Sequence, residues 1–111
     1  MALISNLAID QGATYSVTVL VTDDSGAARD LTGYTGRSQL KRSYFTTTNT
    51  AFTVSIANPP IGEIVLSLSA DQTANLKAGR YVYDLEIHNA NTAVVERIVE
   101  GIVTVYPGVT I

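Results

Sequence analysis

Cysteine is absent from the 111 residues, which excludes disulfides, thiol nucleophiles and thiolate metal sites together. Stability must then rest on packing alone. Tryptophan is absent too, and His88 is the one histidine, so a nucleophile–base pair has a single candidate base. Charge is sparse: 15% of residues are charged and the formal net charge is -3. A mildly acidic chain suits no phosphate backbone, so no nucleic-acid partner is expected. No apolar run approaches the roughly 18 residues a membrane span needs, and no basic-then-apolar leader opens the sequence. The expectation is a soluble protein made in the cytosol, with no membrane partner.

What the chain does have is β-branched side chain. Fourteen Thr, twelve Val and nine Ile make 35 of the 111 residues. Such residues lose χ1 freedom in a helix and pack well on a pleated surface. At 11.8 kDa the folded surface should be roughly 5,900 Å², about a third of that of the extended chain. That is room for one core, so residues 1–111 read as a single all-β domain.

Alternation sets out the strands. Tyr15, Val17, Val19 and Val21 alternate with Ser16, Thr18 and Thr22, and Asp23-Asp24-Ser25-Gly26 supplies a turn. From Tyr34 to Arg42, Tyr34, Gly36, Ser38 and Leu40 share one face, with Thr35, Arg37, Gln39 and Lys41 on the other. Ser43 to Thr50 is a polar loop. Phe52, Val54 and Ile56 form the next strand, which Pro59-Pro60 stops by removing ladder donors. Ile64, Leu66 and Leu68 form another. Ser69 to Leu76 is the one helical piece, capped by Ser69, with Gly79 closing the following turn. Tyr81, Tyr83, Leu85 and Ile87 alternate with Arg80, Asp84, Glu86 and His88. A turn at Asn89 to Thr92 leads into a long strand to Tyr106. Its parity slips at Val94-Val95 and Ile98-Val99, and Gly101 lies inside it, so a bulge or bend is expected. About seven strands joined by turns, with one short connector helix, describe an Ig-like antiparallel β-sandwich.

The chemistry-bearing residues have plain structural explanations. His88 sits at a strand end beside a turn, as a structural or solvent-facing residue. Asp84 and Glu86 lie about 6.6–7 Å apart on one strand face, a spacing that suits a carboxylate pair in glycoside hydrolysis. A solvated strand face explains them better, because nothing desolvates them. The basic row Arg37, Lys41 and Arg42 could touch phosphate. A cross-strand match to the acidic row Asp84, Glu86, Glu96 and Glu100 is preferred, at about 0.2–1 kcal/mol per pair. Asp23-Asp24-Ser25-Gly26 lacks the spacing and closing Glu of a calcium loop. No enzyme activity, cofactor or metal is expected.

Three groups of residues carry a resemblance. They are Ile9 to Tyr15; Gly26 followed by Asp30-Leu31-Thr32-Gly33-Tyr34-Thr35-Gly36-Arg37; and Leu66 to Thr73 with Gly79 to Ile87, Glu100-Gly101 and Val103 to Val105. This layout, over nearly the whole chain, resembles small virion proteins of tailed bacteriophages, including cyanophages. It is similar more distantly to the N-terminal β-module of phage baseplate upper proteins. The resemblance implies a non-enzymatic structural component of the virion, present in many copies or as a homo-oligomer and docked on other capsid or tail/baseplate proteins. Baseplate members carry receptor-binding or stem regions after this module, whereas nothing follows Ile111 here. That departure favours a cement, decoration or connector role. A carbohydrate-binding adhesion module is the alternative, although such modules commonly expose the tryptophan this chain lacks.

Several residues suit docking. Long flat strands offer edges that a partner can extend. Tyr44 and Phe45, with Thr47 in the same polar loop, are contact candidates because aromatics concentrate in interface cores. The alternative is that the two rings fold back over the sandwich mouth. The arms Met1 to Asn6, with Leu3 and Ile4, and Pro107 to Ile111, with Val109 and Ile111, are candidates for clasping a neighbour.

Overall fold

A computed structural model describes residues 3–23, 25–45 and 49–109. Nine strands form two sheets. β1 (Leu3–Ile4), β2 (Leu7–Asp10), β4 (Tyr34–Lys41), β5 (Thr50–Ala51), β8 (Gly79–Asn89) and β9 (Val94–Tyr106) make the larger one. Its order is β1-β9-β8-β4-β5, with β2 also on β9. β3 (Tyr15–Leu20), β7 (Glu63–Leu68) and β6 (Thr53–Asn58) make the smaller, in the order β3-β7-β6. The rows of alternating apolar residues meet between the layers. Leu40, Tyr81, Tyr83, Leu85, Ile87, Val99, Val103 and Val105 from the larger sheet face Ile64, Leu66 and Leu68 from the smaller, all buried.

The helix forms where capping chemistry places it. α1 (Ala70–Ala74) begins at Ser69, whose hydroxyl accepts from the Gln72 backbone while the Gln72 side chain accepts from the Ser69 backbone. This reciprocal pair satisfies two otherwise orphaned amides. Thr73, fully buried, ties the helix to the β2–β3 turn: its hydroxyl donates to the Ala13 carbonyl and accepts from the Gly12 amide. Tyr81 then donates its hydroxyl to the Lys77 carbonyl, 2.7 Å away and four residues back. That is a tyrosine corner, a mark of immunoglobulin-type sandwiches.

Tyr15 on β3, Phe52 and Tyr83 on β8 stack across the layers with ring centroids 6.4 and 6.1 Å apart. With no cysteine in the chain, this aromatic trio links the layers by ring packing.

Three features depart from the sequence reading. The strand expected over Phe52 to Ile56 is present as β6 on β7 in the smaller sheet, but the residues before it depart from the expected loop: Thr50–Ala51 pairs with β4 in the larger sheet, and buried Phe52 is the crossing point. The long final strand does bulge, at Ile98, where the register jumps from Leu85↔Val99 to Glu86↔Arg97. Gly101 is no bulge; it answers to a neighbour. The third departure is the N-terminal arm. Leu3–Ile4 and Leu7–Asp10 run parallel to β9, so this edge is not antiparallel. Between them the chain kinks at Ser5-Asn6. There the Ser5 amide donates to the Glu100 carbonyl, the Ile102 amide donates to the Asn6 side chain, and the Tyr83 hydroxyl donates to the Ser5 carbonyl. The Ser5 carbonyl lies so close over Gly101 that a Cβ there would collide with it. Within the arm expected to clasp a neighbour, the backbone of Leu3 and Ile4 is thus paired with the chain's own sheet.

Candidate interaction surfaces

The outer face of the larger sheet carries a network of charged residues. Antiparallel register sets Arg37 opposite Glu86 and Asp84 opposite Glu100, and paired residues point to the same side. Arg37 meets Glu86 at 3.6 Å. The expected match of basic and acidic rows holds for that pair and is redistributed elsewhere. Arg97, one strand further over, takes Asp84 at 3.2 Å and Glu100 at 3.6 Å. Arg42 leaves the row: its guanidinium lies 4.9 Å from the centroid of the Tyr81 ring and donates to the Arg80 carbonyl. Glu96 goes to Arg29, a residue that the sequence reading had not singled out.

Among the described residues, the Arg29–Glu96 pair is the shortest ion pair. Two parallel bonds of 2.9 and 2.7 Å join guanidinium to carboxylate, and the Arg29 plane also lies over the Tyr34 ring. The bonds from Arg29 hold the Glu96 carboxyl below the usual carboxylate range, and Glu96 in turn makes Arg29 a still weaker acid. It latches the loop before β4 onto β9. A sequence signal for it is hard to find, because the two residues lie 67 positions apart.

Asp84 and Glu86 lie on the sheet's solvated outer face, each engaged by an arginine. His88 meets the Thr35 hydroxyl across the β4–β8 ladder. Asp23 and Asp30 are held below the usual carboxylate range by Ser25 and Thr32 respectively, which is turn chemistry. Among the described residues no cluster of three or more His, Cys, Asp or Glu could hold a metal, and no helix is long and apolar enough to cross a membrane. An open concavity of about 420 Å³ lies on this face, lined by Arg37, Gln39, Lys41, Asp84 and Glu86, with Tyr44 at its rim.

The contact candidates lie at the periphery. Phe45 is 95% exposed and Tyr44 70% exposed, so neither ring folds back over the sandwich mouth. Val109 is 97% exposed beyond the end of β9. Leu3 and Ile4 are 64% and 71% exposed although their backbone is paired. Thr47 and Ile111 lie outside the described residues. These candidates form no single patch: they belong to a loop, an edge strand and a tail.

Two layers, a tyrosine corner and a cross-layer aromatic plug make this chain an immunoglobulin-like β-sandwich. No protein-family model matches the sequence, and no curated protein matches it significantly. Among solved structures it is similar to InlP of Listeria monocytogenes, at 17% identity and TM-score 0.49, over 95% of this chain and 28% of that one. It is also similar to the NK cell receptor Nkp44, at 13% identity and TM-score 0.47, over 96% of this chain and 99% of that one. The chain thus spans less than a third of the InlP chain. Both likenesses concern the sandwich as a shape, and no residue role is taken from either.

Proposed function

We propose that the protein is a non-enzymatic structural component of a tailed-phage virion, docking on capsid or tail/baseplate proteins through edge strands, the loop after β4 and its terminal arms. The phage assignment draws on the sequence stretches quoted above. The observation that carries the docking role is the adjacent pair Tyr44 and Phe45, held in water on one loop. Burying two such rings against a partner is favourable by about 1.5–3 kcal/mol each, and among the described residues both remain largely exposed. The finer reading is a capsid cement or decoration protein. Mass spectrometry of purified particles tests the proposal: the protein should be present in many copies per virion, and its absence from particles overturns it.

One observation favours the carbohydrate-binding alternative. Tyr44 borders a polar concavity with Gln39, Asp84 and Glu86 within it, and a ring beside hydrogen-bonding groups suits a sugar face. A glycan array decides this, since specific hits lost in Tyr44→Ala would favour adhesion over assembly.

A further inference from the structure

We infer that copies of this chain join end to end, the basic, aromatic end of one sandwich seating on the acidic end of the next; this deepens the assembly role proposed above and rests on it. Charge is placed unevenly along the strands. Of the seven lysines and arginines, Arg29, Arg37 and Arg97 form ion pairs with carboxylates. Lys41, Arg42, Lys77 and Arg80 form none among the described residues, and all four lie at one end of the molecule. β4 finishes there with Lys41 opposite Val82, β8 begins there at Gly79, and the Arg42 guanidinium donates to the Arg80 carbonyl. The Tyr81 hydroxyl holds the Lys77 carbonyl in the same place. Asp10 and Asp71 are the described acidic residues at this end, half as many as the cations. Tyr44 and Phe45 project from the loop that Arg42 opens.

The opposite end carries the complement. There the turns holding Asp23 and Asp30 meet the Pro59–Ile61 turn that leads to Glu63 at the start of β7. The Leu31 amide donates to the Pro59 carbonyl and the Val21 amide to the Gly62 carbonyl. Among the described residues none of these three carboxylates pairs with a cation, and Arg29, which lies nearby, is committed to Glu96. Asp23 and Asp30 accept instead from Ser25 and Thr32 in their own turns. Pro60 and Ile61 are exposed beside them. One end thus offers cations with two rings, and the other offers carboxylates with a small apolar shelf.

The two ends cannot meet within one molecule. The 13 residues of β9, at about 3.4 Å each, match the 43 Å long dimension, and the ends lie at its opposite limits. A second copy placed in line sets the cations against the carboxylates and the two rings over Pro60 and Ile61. The net charge of -3 does not oppose this, because at 0.1 M salt screening confines each charge to about 10 Å. A contact therefore feels the two ends it joins. The 28 × 24 Å cross-section limits burial to roughly 500 Å² per copy, at the low end for specific interfaces. Association is accordingly weak, concentration-dependent and salt-sensitive. The contact is heterologous, so each pair keeps one free end of each kind.

Sedimentation equilibrium on the full chain from about 1 µM to 1 mM tests this. In about 50 mM NaCl the mass should rise above 11.8 kDa, and about 500 mM NaCl should weaken association at least about tenfold. Two variants each blunt one end: Phe45→Glu with Arg80→Glu, and Ile61→Lys with Glu63→Lys. All four side chains are at least partly exposed, so the folds should persist, checked by circular dichroism. Alone, each variant should stay monomeric. An equimolar mixture retains one intact end of each kind, so it should form pairs that stop at about twice the single-chain mass. Chemical-shift mapping on the unmodified protein gives an independent reading: the amides of Phe45 and Arg80 should move together with those of Asp30 and Ile61 as concentration rises. A monomer at about 1 mM in low salt overturns the inference, as does association indifferent to salt, a mixture that stays monomeric, or shifts confined to one end. Particles that contain the protein while it stays monomeric would sink this inference alone; end-to-end association by a protein absent from particles would sink only the virion role.

Discussion

Replacing Gly101 by alanine probes the least expected part of the fold. The added methyl points between the layers, where the Ser5 carbonyl carbon would lie 2.8 Å away and the Asn6 side-chain oxygen 3.1 Å away. These are backbone and hydrogen-bonded atoms, so relief requires the kink itself to lift. Three bonds hold that kink: Ser5 amide to Glu100 carbonyl at 2.9 Å, Ile102 amide to Asn6 at 3.1 Å, and Tyr83 hydroxyl to Ser5 carbonyl at 2.6 Å. At about 1 kcal/mol net each, losing them costs about 3 kcal/mol. Alanine returns about 0.4–1 kcal/mol by restricting the unfolded chain, leaving a net loss of about 2 kcal/mol. Urea unfolding should show this as a midpoint lowered by about 1 M, for a slope near 2 kcal/mol per molar. The effect should also be less than additive with Tyr83→Phe, because both changes break the same bond. A midpoint that stays or rises, or full additivity, would refute the close approach of Ser5 to β9.

Three further outcomes are expected. Glu96→Gln should destabilise by about 0.5–1 kcal/mol at pH 7, a value discounted for solvent exposure. Because the native Glu96 carboxyl lies below its ordinary 4.5, this contribution is present above pH 4.5 and disappears as pH falls through the lower native value. The gap between variant and parent should close in acid, and urea midpoints at pH 7 and pH 3 measure it. Thr73→Val keeps the shape but strips Gly12 and Ala13 of their buried partner, so about 1–3 kcal/mol should be lost in thermal unfolding. The double change Tyr44→Ser with Phe45→Ser should leave stability within about 0.5 kcal/mol while reducing incorporation into particles. Unchanged incorporation would remove this loop from the docking role.

Period-2 alternation made the core legible where both members of a pair lie in one regular strand. Tyr81, Tyr83, Leu85 and Ile87 are all buried, and so are Ile64, Leu66 and Leu68. The helix start was equally readable, because Ser69 and Gln72 are local partners. What escaped depends on the other layer. Phe52, Val54 and Ile56 share a parity, so nothing local shows that the chain changes sheets at Phe52. Leu3 and Ile4 look like a loose apolar arm because their partners, Val99 and Glu100, lie 96 positions away. Gly101 reads as a bulge signal in isolation and proves to be a space kept for Ser5. The exposed aromatics were visible as residue types in Tyr44 and Phe45.

The parallel pairing of β2 with β9 has a mechanical consequence. The chain enters this ladder at Leu7, opposite Val103, and leaves it at Tyr106, opposite Asp10. Tension applied between the two termini therefore drags the strands past each other lengthwise. The rungs must fail together under shear; they cannot peel away one at a time as in a hairpin pulled open from its ends. A domain tethered at both ends would resist stretching far better than its modest size suggests.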